Sequence, residues 1–124
     1  MLVSLLISLS ARGRAESPDD VLARLCTADQ AESGAPLPDS TRAARRSQRI
    51  RQARALLARG EFQDPRSYDH AALLFQHGNR TDDFLVAREL AMLAGFRRAV
   101  VNGLPALAED RYLVSLGLPM RFGG

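Results

Sequence analysis

Between residues 68 and 95 apolar positions recur at helical spacing in two runs separated by a four-residue polar break. In the first run Tyr68, Ala71, Ala72, Leu74 and Phe75 share one broad face, with Asp69, His70, Gln76 and His77 opposite. Asp64-Pro65 supplies a capping carboxylate and a proline suited to the first helical position, and Gly78 supplies the stop. Thr81-Asp82-Asp83 then opens a second helix with a capping hydroxyl and two acids at its positive end. So short a connection predicts an antiparallel hairpin. The second helix, residues 82–94, is apolar almost all round, with only Arg88 and Glu89 polar in its interior. That pattern predicts burial on most sides, and Glu89, between Leu85 and Leu93, is expected inside and paired.

Weaker helical patterns flank the hairpin. Ser17-Pro18-Asp19-Asp20 has the form of a capping box, followed by a short stripe of Val21, Leu22, Leu25 and Cys26 that ends at the loop of residues 34–38. Asp39-Ser40 caps a helix reaching Arg59, with Gly60 as its stop and Ala43, Ile50, Ala53, Leu56 and Leu57 as a thin apolar line. Beyond Gly95 the pattern stays helical to residue 101, breaks at residues 102–105, and resumes from Pro105 to Leu116. The tail, residues 120–124, is expected to fold back with Phe122 packed on the body. The sum is an all-α chain of four or five helices around an antiparallel αα-hairpin. Residues 1–15 form a leader, residues 16–38 a short helix with a Pro/Gly loop, and residues 39–124 the helical domain.

The leader changes the picture of charge and location. Residues 2–9 form an apolar run of signal-peptide length, too short to span a membrane, with small residues at Gly13 and Ala15 before a cleavage point. A periplasmic or secreted protein is therefore expected, a cytoplasmic one being the alternative. All 17 basic residues are arginine against 14 acids, a formal charge of +3, and two of those arginines leave with the leader. Residues 42–59 hold seven arginines and no acid, and Arg42, Arg45, Arg46 and Arg49 share one side. Such a face meets phosphates, as in nucleic-acid binding, or lies solvated with its stems over apolar surface. The second reading is preferred, because aromatic side chains for base stacking are absent nearby. A single cysteine, Cys26, excludes an internal disulfide and any multi-cysteine metal site.

Two resemblances follow from the quoted residues. The spacing of Ala71, Ala72, Leu74, Gly78, Asp83, Ala87, Ala94 and Gly95 resembles one helical hairpin of the tetratricopeptide-like superfamily. The stretches AALLFQHG, DDFLVARELAMLAG and DRYLVSLGLPMRFGG are similar to a family of uncharacterised bacterial helical proteins with an FQHG turn and a DRYL-G-P-RFG tail. That resemblance implies an all-helical domain and sets Gln76, His77, Glu89, Asp110, Arg111 and Arg121 at the family's polar positions. The chain departs from it at Arg88, where histidine is expected, and at Met120, where glutamine is expected.

His70 and His77 stand two turns apart, about 10 Å along a helix, too far to share a metal easily. No P-loop, dinucleotide fingerprint, nucleophile elbow or zinc motif appears, so no metal or cofactor is expected. The six polar residues form either a catalytic constellation or a buried network in which Arg111 neutralises Glu89. The expected function is non-catalytic binding of a protein or peptide. The alternatives are a small hydrolase-like enzyme using His77 and Glu89, and nucleic-acid binding through the arginine-rich helix.

Overall fold

The computed structural model describes residues 13–60, 62–96 and 104–123, and its secondary structure is entirely helical. Helix α1 spans Pro18–Ser33, α2 Asp39–Arg59, α3 Arg66–Gln76, α4 Thr81–Phe96 and α5 Leu104–Ser115. Residues 1–12 of the leader, and the whole stretch 97–103 between α4 and α5, lie outside the described residues. Local chemistry explains the boundaries. The Ser17 hydroxyl accepts from the Asp20 amide while the Asp20 carboxylate receives the Ser17 amide, closing the expected capping box. Helix α2 begins after Pro38 without a side-chain cap, so Asp39 is its first residue rather than its cap. It ends at Gly60, whose φ of 67° is one that L side chains rarely adopt. Before α3, the Asp64 carboxylate accepts from the Arg66 amide at 2.9 Å.

Helices α3 and α4 form the hairpin, joined by residues 77–80. Helix α5 packs on α4, and α1 packs on α3 and α2. Phe75, Leu74, Leu22 and Leu104 are the largest fully buried apolar side chains. Leu22, Leu25 and Cys26 of α1 lie in the same core, so α1 is part of the body rather than an appendage. Helix α3 is packed by α1, α2 and α5 as well as by α4, and Asp69 and Gln76 are buried although the helical pattern assigned them to a polar face. Burial pushes the Asp69 carboxyl above the ordinary carboxylate range, and it pushes the Cys26 thiol, beside Asp29 and Asp69, up to about 11.

The expectation that α4 is buried on most sides is corrected. Its inward stripe is Asp83, Ala87, Leu90, Ala91 and Ala94. The alanines let a neighbouring helix approach closely, which leaves Leu85, Met92 and Phe96 outside, the last 83% exposed. Glu89 falls on this outward stripe with its side chain 61% exposed, paired with Arg88 at 2.8 Å rather than with Arg111. The tail also differs from expectation. It folds back, but Phe122 is exposed, and the attachment is made by the Arg121 and Phe122 amides donating to Asp110 Oδ1 at 2.7 and 2.9 Å. Among the described residues no helix is long and apolar enough to cross a membrane.

Asp19 ties the start of α1 to the loop before α3, accepting from the Gln63 and Asp64 amides and the Ser67 hydroxyl. Partial burial pushes this carboxyl up, but the bonds from Ser67, Gln63 and Asp64 together outweigh burial and hold it below its ordinary range. A depressed folded-state value gives stability that is present above the unfolded value and lost as pH falls through the folded one. Asp19→Asn is therefore expected to lower stability at pH 7 and to flatten the acid limb below about pH 4. Thermal unfolding between pH 3 and 7 checks this, and parallel limbs would refute it.

Candidate functional site

The arginine-rich face of α2 is turned against α1. Arg42 donates to the Glu32, Ala35 and Leu37 carbonyls, completing the C-terminal end of α1 where a cation opposes the helix dipole. Arg45 bonds Glu32 at 2.9 Å. Arg49, buried itself, reaches Asp29 at 3.3 Å and makes an ion pair with Glu32 at 2.6 Å. Arg46 stands 3.9 Å from Asp29, an ion-pair rather than a hydrogen-bond distance. The Glu32 carboxyl is held below its ordinary range by Arg49, then by Arg45. Arg42, Arg45, Arg46 and Arg49 thus each meet a group of α1, while the Arg45 side chain stays half exposed.

His77 joins the same network. Its Nδ1 lies against Asp29 Oδ2, at the end of α3. Asp29 is thus shared by Arg49, Arg46 and His77 while being 2% exposed. Asp29 was not singled out from the sequence, although it continues the α1 stripe Leu22, Leu25, Cys26 at the next helical turn. An acid on an apolar stripe is the signal that could have revealed it.

Helix α2 packs on α1 and α3 but not on α4, and a cleft of about 640 Å³ opens in the gap. One wall is the α2 face carrying Arg46, Ser47, Ile50, Arg51 and Arg54. The other is the turn from His77 to Arg80 with Asp82 and Asp83. Arg54 bridges the walls, bonding Asp83 Oδ1 at 2.8 Å with its guanidinium 5.0 Å from the centre of the Phe75 ring.

The other predicted residues gather elsewhere. Asp110, buried, holds the tail; Arg111, exposed, reaches the Gln76 carbonyl at 3.4 Å; Arg121 pairs with Glu109 at 3.3 Å. Asp110 and Arg111 line a groove of about 410 Å³ with Phe84, Leu107, Val114 and Met120. The six residues therefore do not share one pocket. Gln76 and Arg111 meet, Asp110 and Arg121 meet, His77 faces the α2 cleft, and Glu89 stands alone with Arg88. His77 precedes α4 while Glu89 lies about 12 Å along it from Thr81, and each has a different partner, so the His77–Glu89 pair that the hydrolase alternative needs is not formed. No family model, curated protein or solved structure matches the chain. Among the described residues no group of three or more His, Cys, Asp and Glu side chains is placed to hold a metal.

Proposed function

We propose that this chain is a non-catalytic binding module that docks a short segment of another polypeptide on the face formed by α5 and the tail. The observation that carries the reading is the distribution of exposed apolar side chains. Leu107, Val114, Leu116, Leu118, Met120 and Phe122 are all exposed within sixteen residues of sequence, and Leu85, Met92 and Phe96 are exposed on α4. Apolar exposure concentrated in this way is characteristic of interaction surfaces. The groove between Phe84, Leu107, Val114 and Met120 is open to apolar side chains. At its edge Arg111 has one long bond to a carbonyl and no acid partner among the described residues. The fitting occupant is an amphipathic peptide, with apolar side chains in the groove and a carboxylate on Arg111. Export of the module is part of the same reading and rests on the apolar run of the leader, outside the described residues.

Selection of random short peptides displayed on phage tests the proposal. Wild-type protein is expected to enrich sequences combining apolar residues with an acid. Val114→Glu should abolish enrichment, and Arg111→Gln should remove the preference for the acid while leaving the apolar one. Enrichment unchanged by both substitutions, or none at all, would rule out this face as the binding surface.

A further inference from the structure

We infer that the cleft between α2 and the α3–α4 turn binds a small phosphate-bearing compound. This inference is independent of the peptide-binding face, which lies on α5 and the tail. Four guanidinium groups line the cleft, those of Arg46, Arg51, Arg54 and Arg80, against the two carboxylates of Asp82 and Asp83. Asp83 is bound to Arg54 at 2.8 Å and Asp82 to Arg80 at 3.3 Å, which leaves Arg46 and Arg51 in surplus. Asp29 lies behind Arg46, but at 3.9 Å, and it is shared with Arg49 and His77.

Two further details point to a ligand. The Nε of Arg46 is shielded from solvent and makes no hydrogen bond within the protein. That nitrogen faces Asp29 Oδ1 at 3.9 Å, beyond hydrogen-bond reach, so Asp29 neutralises this guanidinium only in part. The His77 ring is fixed by Asp29 through Nδ1, which leaves Nε2 as the ring atom for a ligand on this cleft-lining residue. The Ser47 hydroxyl adds a neutral donor on the α2 wall.

Charge and geometry favour phosphate over carboxylate. A phosphate monoester carries about −1.5 to −2 charges at neutral pH, close to the surplus of two guanidinium groups. It also offers three acceptor oxygens in different directions, matching donors that approach from both walls. A carboxylate is satisfied by one arginine fork in one plane and would leave the others unused. The cleft volume lies in the range of small-molecule sites, roughly 300–1,000 Å³.

The test is a titration of the isotope-labelled full chain with inorganic phosphate, followed by amide NMR at constant ionic strength, with sodium acetate as a parallel arm. Saturable shifts at Gly78 and Asn79 are expected with phosphate, and none with acetate over the same range. Arg51 makes no hydrogen bond or ion pair among the described residues, so Arg51→Gln should fold normally while weakening phosphate binding at least fivefold. A non-saturating response to phosphate would overturn the inference, and so would a weakening of less than fivefold in Arg51→Gln. Equal binding of acetate at these amides would overturn the assignment to phosphate.

Discussion

Asp29→Ala is expected to destabilise the fold by about 3–5 kcal/mol, the range found when one partner of a buried ion pair is removed. The loss arises less from the missing bonds than from what they leave behind. Arg49 is itself 8% exposed, and without Asp29 its guanidinium keeps only Glu32 as a counter-charge. His77 loses the acceptor that fixes its ring, and Arg46 loses its nearest carboxylate. If charge burial is the cause, removing the orphaned charge should restore stability. Asp29→Ala combined with Arg49→Met is therefore expected to recover much of the loss, because a long apolar side chain replaces the uncompensated cation. Urea unfolding of the two single variants and the double variant measures this. Simple addition of the single effects would show that the two residues are not coupled.

Gly78→Ala should cost about 1–3 kcal/mol, the range for forcing extra volume into a packed site. The sequence pattern made Gly78 a permissive helix stop, yet it is not among the glycines with positive φ. Its role is close approach. A Cβ on Gly78 would lie 2.5 Å from the Asp83 Cβ and 2.6 Å from Asp83 Oδ2, distances that real structures do not tolerate. Asp83 cannot swing aside cheaply, because Oδ1 holds Arg54 at 2.8 Å and Oδ2 receives the Arg80 amide at 3.3 Å. Gly95, on α4, is the control: a Cβ there meets nothing within 4 Å. Gly95→Ala should be neutral or stabilising by up to about 1 kcal/mol through helix propensity. Equal melting temperatures for the two variants would refute the close-approach argument.

Periodicity and capping residues made the helices legible. The α3–α4 hairpin, the capping box at Ser17 and the stop at Gly60 could all be read from local chemistry, since each depends on residues within a few positions of one another. What could not be read is which neighbour covers each face. Glu89 was expected inside because Leu85 and Leu93 flank it on the helix, but the buried stripe runs through Ala87, Leu90, Ala91 and Ala94, and Leu85, Met92 and Phe96 turn outward. The ion pairs of the α2 arginines could not be read because their acid partners, Asp29 and Glu32, lie ten or more residues away on α1. Of the expected site, Asp110 holds the closing segment through the Arg121 and Phe122 amides, main-chain groups that no side-chain pattern reveals.

The way Asp110 grips the closing segment has a consequence for how this surface changes over time. The carboxylate takes hold of peptide N–H groups, which every residue except proline supplies. Position 122, whose side chain is exposed, can therefore be rewritten in side-chain identity while the strap stays fastened, whereas Arg121 also pairs with Glu109. What the molecule displays at position 122 is decoupled from what keeps the segment in place, so the character of this surface can change by a single substitution without loosening the attachment.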